Sequence, residues 1–515
     1  MKATKKLLAF LLAATMLLAL LPSAFATEPT GYTLTINNST KGHTYEAYQI
    51  FTGDLTKKDG GSLVLSNIVW GSGINAAGQT ALGNAAEVAA TLTDEAAAKD
   101  FAKRIAQYLT SPATSTEGDG KYTISGLQPG YYLVKDQDNT LDKEHDFYTA
   151  YIMEVVGNVT ATPKGDKPTL DKQIKHNETE NWGVVGDNQI GDTVEFRTIT
   201  TVPNVEPYYT KYSYVISDTM SVGLTSNVKT ADNVTIKVND SAVLDSKYYT
   251  VVANGNTFSV TIDILTAIAD GKMAVNDKLY TYYTGVLNSD AKVYDEGKQE
   301  NVAYLEFSNN PNDTEDKGKT PEKKVYEWTF KMGVNKVNKE GDSLTGAKFV
   351  LSKDGSLKVD EMGCDDEGVP TTTTGLIPVV KVSDGVYRVA TDKDTGTTFV
   401  MEAGSIVIKG LDDEVDYYLY ETKAPEGYNQ LKDPVRFRIT ANYVEDGSAL
   451  AEGYPTVTVG TNTSNALSTD VINQAGNTLP STGGMGTTIF YVLGSILAIG
   501  AAILLISKKR MNGVQ

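Results

Sequence analysis

Alternating hydrophobic and polar positions run through most of the chain and predict a mainly β protein. The segment Tyr32-Thr33-Leu34-Thr35-Ile36 alternates strictly, and the runs Val234 to Val238 and Leu279 to Tyr283 are rich in β-branched and aromatic residues. Alternation with period two is typical of strands that are buried on one face. Such short runs recur from residue 32 to residue 459, at a spacing typical of immunoglobulin-like β-sandwiches. We therefore expect several such sandwiches in tandem.

Two polar segments divide the β-rich region into three expected domains. Residues 163–169, with sequence Pro-Lys-Gly-Asp-Lys-Pro-Thr, and residues 309–324, which hold Pro311 and Pro321, have the composition of linkers. The expected domains are therefore 27–163, 164–322 and 323–475. Only the first contains an Ala-rich stretch with helical periodicity, in which Phe101, Ile105 and Tyr108 share one face. We expect one or two helices there, and a strand from Val325 to Val337 at the start of the third domain.

Both termini carry export signals. Residues 1–26 have a positive start, an apolar stretch and Ala24-Phe25-Ala26, which together predict a cleaved signal peptide. Residues 476–515 contain an apolar run from about 486 to 506, followed by Lys508-Lys509-Arg510, and this run is long enough to cross a bilayer. The residues between the two signals are expected outside the membrane. Immediately before the run stands the motif Leu479-Pro480-Ser481-Thr482-Gly483, so that this terminus resembles an LPxTG sorting signal of Gram-positive bacteria.

The net charge and the composition limit the partners and the kinds of site that the chain can have. A net charge of −18 makes nucleic acid an improbable partner, and we predict none. The single cysteine, Cys364, cannot form a disulfide within one chain and lies among acidic residues, so we interpret it as an incidental thiol. His43, His145 and His176 do not have the spacing of metal ligands. We predict no metal and no cofactor; the acidic loop from Asp136 to Asp142 lacks the glycine of a calcium loop and is interpreted as solvated.

One motif near the end of the third domain carries specific chemistry. Residues 417–428, Tyr-Tyr-Leu-Tyr-Glu-Thr-Lys-Ala-Pro-Glu-Gly-Tyr, resemble the E-box of Cna-B-like domains. The resemblance implies an intramolecular isopeptide bond between Lys336 and Asn473, promoted by Glu421. Burial favours this reaction, because it lowers the pKa of a lysine and raises the pKa of a carboxyl group. A neutral amine beside a protonated acid is the pair that the proton transfers require.

The middle domain resembles the Cna-A-like domain of the same proteins, through a looser motif. Pro168-Thr169-Leu170-Asp171-Lys172 opens it, Tyr214 to Met220 lies within it and Asn301 to Asn309 closes it. The resemblance implies a second bond, between Lys172 and Asn309, with Asp218 as the catalytic carboxylate; Lys175 and Asn301 are competing choices. The two assignments have the same separation, since 309 − 172 = 137 and 473 − 336 = 137.

Together these features make nearly the whole mature chain resemble the sortase-assembled major pilins of Gram-positive bacteria. The resemblance implies a structural subunit, not an enzyme, which sortase joins through Thr482 to Lys164 of the next subunit and finally to peptidoglycan. Lys164 follows Pro163 in a weak match to the pilin motif, and Lys167 is the alternative. Other implied partners are identical subunits, minor pilins and a host receptor that supports adhesion. A single-copy, wall-anchored adhesin and an anchored enzyme are the competing hypotheses.

Overall fold

Strands dominate the fold. The protein was analysed as a computed structural model, which describes residues 31–38, 41–57, 63–93, 95–137, 150–161, 167–205, 209–309, 317–476 and 486–511. Strands account for 46% of the residues and helices for 14%, which confirms the prediction of a mainly β protein. Side chains alternate between the core and the surface along most strands, as the sequence pattern requires.

The N-terminal unit packs two sheets against each other and adds helices on one side. Its elements are β1 (Tyr32–Asn37), β2 (Tyr45–Lys57), β3 (Leu63–Trp70), α1 (Ala76–Leu82), α2 (Ala85–Thr91), α3 (Glu95–Ile105), a 3-10 turn (Ala106–Tyr108), β4 (Ala113–Thr114), β5 (Thr116–Gly118), β6 (Lys121–Leu127), β7 (Gly130–Asp136), β8 (Ala150–Val155) and β9 (Val159–Ala161). One sheet has the order β5-β6-β1-β9 and the other β3-β2-β7-β8, with β4 paired to β2. The first strand, β1, and the last, β9, are parallel neighbours.

The helices of this unit exceed the expected one or two, since three α-helices are described. Asn75 and Asn84 cap α1 and α2, because each side-chain oxygen accepts hydrogen bonds from backbone N–H groups in the first turn. Helix α3 buries Phe101 and Ile105, and the Phe101 ring stacks on Phe51 with 5.5 Å between centroids. Sequence periodicity identified α3 because its apolar face is continuous. The alanine-rich α1 and α2 present a weaker pattern.

The middle unit is a sandwich of two larger sheets. Its elements are β10 (Leu170–Lys175), β11 (Trp182–Gly183), β12 (Val185–Asp187), β13 (Thr193–Thr201), β14 (Tyr214–Met220), β15 (Leu224–Ser226), a 3-10 turn (Ala231–Asn233), β16 (Thr235–Val238), β17 (Ala242–Val243), a 3-10 turn (Ser246–Tyr248), β18 (Tyr249–Asn254), β19 (Thr257–Ile262), α4 (Ile264–Ala269), β20 (Lys278–Leu287), β21 (Gln299–Ser308), β22 (Lys317–Lys319) and β23 (Lys323–Trp328). One sheet has the order β11-β10-β13-β20-β16-β17, with β15 paired to β20. The facing sheet has the order β12-β23-β21-β14-β19-β18, with β22 paired to β21.

Strand β23 corrects the second domain boundary. It pairs with β21 and β12 and so belongs to the middle unit, although it lies beyond the expected boundary at residue 322. The single strand expected from Val325 to Val337 is in fact two strands, interrupted at Thr329. Thr329 is buried and its hydroxyl donates a hydrogen bond to the carbonyl of Leu411, 3.0 Å away. The chain therefore passes from one sandwich to the next at Thr329.

The C-terminal unit is a second two-sheet sandwich. Its elements are β24 (Phe330–Val337), β25 (Ala347–Ser352), a 3-10 turn (Val359–Met362), β26 (Val379–Ser383), β27 (Val386–Val389), β28 (Met401–Ala403), β29 (Ser405–Leu411), β30 (Asp416–Lys423), β31 (Val435–Thr440), β32 (Thr456–Val459), β33 (Asn462–Ser464) and β34 (Ser468–Ile472). The sheets have the orders β26-β27-β29-β24-β34 and β28-β25-β30-β31-β32-β33. Buried side chains of the middle and C-terminal units form one continuous apolar core.

The chain ends in a long exposed helix, α5 (Gly486–Met511). Its segment Ile489–Lys509 is 21 residues long, apolar, and buries none of its surface against the rest of the protein. Length and composition suit a membrane span, as expected from the sequence.

Candidate functional site

The first candidate site lies at the end of the C-terminal unit, where its first and last strands meet. Strands β24 and β34 run parallel, with Lys336 opposite Val471. The N–H of Asn473 continues this pairing by donating to the carbonyl of Val337, at 3.1 Å. Glu421 approaches from β30 in the facing sheet. Lys336, Asn473 and Glu421 are at most 1% exposed, so the three groups predicted from the motif meet in the core.

The hydrogen bonds of this site orient the asparagine amide between the lysine and the glutamate. The Lys336 ammonium donates to Oδ1 of Asn473 and, at 2.7 Å, to the carbonyl of Val471. The Asn473 amide nitrogen donates to both carboxylate oxygens of Glu421, each 3.0 Å away. Lys336 Nζ lies 3.8 Å from Glu421 Oε1. The lysine therefore faces the amide carbonyl, and the carboxyl group faces the nitrogen that would leave as ammonia.

Burial shifts both ionisable groups toward their neutral forms. Loss of solvation lowers the pKa of Lys336, although the nearby Glu421 opposes this shift. Burial likewise raises the pKa of Glu421, against the hydrogen bond from the Leu431 N–H and the effects of Asn473 and Lys336. Such opposed shifts suit a proton transfer from lysine to glutamate.

The remainder of the 417–428 motif fixes the strand end that carries Asn473. Gly427 adopts a positive φ of 82°, so that the chain turns and Tyr428 pairs with Ala475. The Asn429 N–H donates to the carbonyl of Gln474 at 2.9 Å, and the Asn429 carbonyl accepts from the Asn473 amide at 3.0 Å. The motif thus supplies both the carboxyl group and the loop that holds its asparagine.

The second candidate site lies between the two sheets of the middle unit. Lys172 projects from β10 and its Nζ lies 2.5 Å from Oδ2 of Asp218, on β14 of the facing sheet. The hydroxyl of Tyr283, on β20, donates to the same Asp218 oxygen and accepts from Lys172. Lys172 and Asp218 are each 1% exposed. The predicted lysine and aspartate therefore meet, together with a tyrosine that sequence reasoning missed.

Asn301, and not Asn309, accompanies this pair. On β21, Ala303 lies opposite Asp218 and Asn301 lies opposite Met220, on the same face of the strand. The Asn301 amide is near enough to Asp218 and Tyr283 to lower the pKa of both. Asn309 is six residues beyond Ala303, about 20 Å along an extended chain. The choice of Asn309 therefore does not fit the geometry, and the competing choice does.

Burial dominates the electrostatics of the middle site as well. It lowers the pKa of Lys172, against the attraction of Asp218, and raises the pKa of Asp218, against Lys172, Tyr283 and Asn301. The pKa of Tyr283 lies well above its usual value because of burial and the adjacent Asp218. Neither amide atom of Asn301 has a hydrogen-bond partner among the described residues.

Other predicted residues fall outside these sites. Lys175 is at the surface and pairs with Glu180 and Glu195, at 2.5 and 3.0 Å, so it does not reach the core. Burial and Asp365 raise the pKa of the half-buried Cys364, which fits an unreactive thiol. Lys167 is half-buried. Several predicted positions lie outside the described residues: the signal peptide, Lys164, His145, most of the loop after Asp136, and the motif Leu479, Pro480, Ser481, Thr482 and Gly483.

Comparison with known families matches two parts of the chain. Residues 330–448 match the SpaA prealbumin-like fold domain, and residues 472–513 match the LPXTG cell wall anchor motif. The first match begins at the first residue of β24, where the structure begins the C-terminal sandwich. The second covers the end of β34, Asn473, the sorting motif and α5. The chain is therefore a surface protein with a cell wall anchor.

Two relatives resemble most of the chain. The fimbrial subunit type 1 of Actinomyces viscosus is 24% identical over 446 residues, which cover 78% of this chain and 76% of the relative. The trypsin-resistant surface T6 protein of Streptococcus pyogenes serotype M6 is 24% identical over 399 residues, which cover 68% and 70%. The solved T6 backbone pilin of the same serotype aligns with 88% of this chain and all of its own, at 15% identity and a TM-score of 0.48. The two family matches and the two sequence relatives confirm the resemblance to sortase-assembled major pilins.

Proposed function

We propose that this protein is the shaft subunit of a covalent surface pilus. The observation that carries the proposal is continuity at the C-terminus: the last sandwich strand leads through Asn473 directly into the matched anchor motif at 472–513. The domain core and the sorting signal are thus consecutive along the chain. Force applied at the sorting motif acts first on the strand end that Glu421 and Lys336 hold.

Polymerisation joins the threonine of one subunit to a lysine of another. A sortase cysteine attacks the Thr482 carbonyl and breaks the Thr482–Gly483 bond, which releases the amine of Gly483 and the membrane helix. The ε-amine of Lys164 in a second subunit then attacks the thioester, forms an isopeptide bond and releases the cysteine. Head-to-tail contacts of this kind do not close and therefore build a filament. The same reaction with peptidoglycan attaches the last subunit to the wall.

Within each subunit, the C-terminal unit makes its own cross-link. Glu421 takes a proton from the Lys336 ammonium, and the neutral amine attacks the Asn473 side-chain carbonyl. Glu421 passes that proton to the departing nitrogen and takes up the second proton of the attacking amine, so it ends the reaction protonated. One C–N bond forms, one breaks, and ammonia leaves. The orientation of the amide supports this sequence, because its oxygen faces Lys336 and its nitrogen faces Glu421.

The middle unit makes the equivalent bond between Lys172 and Asn301, with Asp218 as the proton carrier. The buried contact between Lys172 and Asp218 and the nearby amide of Asn301 support this assignment. The Tyr283 hydroxyl bridges Lys172 and Asp218, so it positions the two groups and connects them for proton transfer.

Pilus polymerisation is tested by boiling muramidase-released wall proteins in SDS. The wild-type protein is expected to give a ladder of very large species, and Lys164→Ala is expected to abolish it. Lys167→Ala is the matched control, three residues along the same segment, and should leave the ladder intact. Loss of the ladder in Lys167→Ala alone would transfer the acceptor role to Lys167. Absence of any ladder from wild-type cells would instead support a single-copy, wall-anchored protein.

A further inference from the structure

A buried acidic cluster joins the middle and C-terminal units. Asp187, at the end of β12, meets Asp412 and Asp413, which follow β29. One carboxylate oxygen of each residue lies within 4.8 Å of one from each of the others. The three residues are only 0–2% exposed. A fourth acid, Glu327 on β23, is equally buried.

Each aspartate of the cluster is held through one of its two carboxylate oxygens. Oδ2 of Asp187 accepts from the Tyr443 hydroxyl at 3.0 Å, Oδ2 of Asp412 from the Asn177 amide at 2.8 Å, and Oδ2 of Asp413 from a backbone N–H at 2.8 Å. Among the described residues, none donates to Oδ1 of any of the three. Metal sites have this arrangement, in which outer hydrogen bonds orient carboxylates whose remaining oxygens face the ion.

The protein supplies little positive charge to balance these acids. Lys353 attracts Asp412, but among the described residues no lysine or arginine forms an ion pair with any of the three aspartates. His176 Nε2 is 3.5 Å from Asp187, while its other ring nitrogen pairs with Glu178 at 3.0 Å. Several buried carboxylates with so little compensation are costly unless they are protonated or bind a cation.

We propose that this interdomain cluster binds one calcium ion through Asp187, Asp412 and Asp413. Carboxylate oxygens are the ligands that hard divalent cations prefer. The spread of the oxygens is compatible with the coordination sphere of calcium, whose opposite ligands are about 4.6–5.2 Å apart. The export signals place the cluster outside the cell, where calcium sites of moderate affinity are common.

Bound calcium would fix the angle between two consecutive sandwiches. Its ligands come from both units, and neighbouring contacts already cross the same boundary: the Tyr417 hydroxyl donates to Gln189 Oε1 at 3.2 Å, and the Trp328 indole donates to the carbonyl of Gly447 at 3.2 Å. The ion would replace electrostatic repulsion at this joint with attraction. This role is independent of polymerisation, because every ligand belongs to one chain.

Calcium binding is tested on the full chain, purified in detergent and treated with a chelator. Native mass spectrometry is expected to show one calcium ion per chain, and about 1 mM calcium should raise the thermal midpoint of the sandwiches by several degrees. Asp413→Asn should weaken binding by more than about 100-fold, beyond the usual effect of an outer-shell residue.

Two further variants complete the test. Tyr443→Phe removes only the hydroxyl that orients Asp187 and should weaken binding by about 10- to 100-fold, which gives a result even where Asp413→Asn fails to fold. Asp384→Asn, at an exposed aspartate of the same unit, should change nothing. A wild-type midpoint that ignores calcium but rises on acidification would overturn the proposal in favour of carboxyl groups sharing protons. An equal shift with magnesium would overturn the assignment to calcium.

Discussion

The candidate sites of the two units, the C-terminal and the middle lysine centre, bring a lysine, an asparagine and a carboxyl group together through different arrangements of strands. In the C-terminal unit, Lys336 and Asn473 belong to neighbouring parallel strands of one sheet, and the carboxyl group comes from the other sheet. In the middle unit, Lys172 belongs to one sheet, while Asp218 and Asn301 lie on adjacent strands of the facing sheet. A bond in the C-terminal unit would join two strands of one sheet. A bond in the middle unit would join the two sheets through the core.

This difference determines what each bond would protect. With the proposed bond in the C-terminal unit, tension that enters at Phe330 would follow β24 to Lys336, cross to Asn473 and leave toward the anchor, so residues 337–472 would carry no load. With the proposed bond in the middle unit, tension would cross the core from β10 to β21, and the bond would hold the sandwich closed. The N-terminal unit shows the contrast: β1 and β9 are also parallel neighbours, but residues 34–36 and 159–161 that form the ladder include no lysine or asparagine.

The largest expected effect comes from removing one bond at a time. Asn473→Ala and Asn301→Ala should each leave the full chain short of the mass of one ammonia, where the wild type is short of two. Each should also lower the free energy of unfolding by about 5 kcal/mol, the value expected for a cross-link that closes a loop of this length. Intact-mass spectrometry and chemical denaturation measure the two quantities.

Asn309→Ala is the matched control for this comparison. Asn309 is as deeply buried as Asn301 and undergoes the same chemical change, but it follows the end of β21, six residues beyond the position opposite Asp218. The variant should still lack two ammonias and should lose less stability than Asn301→Ala. A chain that lacks only one ammonia after this substitution would restore the original choice of Asn309.

Sequence alone predicted which three groups meet in the C-terminal unit because the motif at residues 417–428 is continuous along the chain. Residues 417–428 supply the carboxyl group and the adjacent loop, and only the lysine and asparagine had to be added from the first and last strands. In the middle unit the resemblance to the Cna-A-like domain led to Asn309, whose separation from Lys172 equals that of the C-terminal pair, 137 positions. That equality has no physical meaning, because strand register, which the sequence does not display, decides which asparagine faces Asp218.

Other features depend on contacts between distant segments and so escaped the sequence analysis. Tyr283 reaches Lys172 across 111 residues, and the acidic cluster draws on positions between 187 and 413. The boundary at 322 was misplaced because the polar start of β23, Lys323 and Lys324, has the composition of a linker. The pattern of hydrophobic and polar residues predicted the positions of most strands. Which sheet each strand joins could be read only from the folded structure.

A smaller effect is expected on the rates at which the two proposed bonds form. Tyr283→Phe removes a hydroxyl that contacts both Lys172 and Asp218, and no tyrosine hydroxyl takes this place among the described contacts of Lys336. Loss of a hydrogen bond to a charged group corresponds to a rate about 10- to 100-fold lower. The middle bond should therefore form more slowly after synthesis in a cell-free system, as followed by loss of ammonia, while the C-terminal bond keeps its rate.

Tyr214→Phe is the control for the tyrosine variant. Tyr214 is also buried in the middle unit, but its hydroxyl donates to the carbonyl of Thr201, 2.8 Å away, and not to the lysine centre. It should leave both rates unchanged. Equal slowing by the two substitutions would mean that Tyr283 acts through the stability of the sandwich and not on the reaction.

The smallest expected effect is a change in how the free energy of unfolding depends on pH, and it reports on the protonation of Glu421. Lys336→Ala prevents the C-terminal bond and removes a group that lowers the pKa of Glu421, so burial should raise that pKa further. Because the folded state then binds the proton more tightly than the unfolded state, stability is greatest at low pH and falls as pH rises through the folded pKa. The variant should gain stability between about pH 7.5 and pH 5, by at most about 1.4 kcal/mol per pH unit.

The double variant Lys336→Ala/Glu421→Gln makes this pH effect specific. Other buried acids, such as Asp187 and Asp413, have raised pKa values and change stability in the same direction, but they are common to both variants. The difference between the two denaturation series therefore reports Glu421 alone. If the two series run parallel, the pKa of Glu421 is not raised in the folded state, and the carboxyl group would then hold the lysine proton too weakly to carry it to the departing nitrogen.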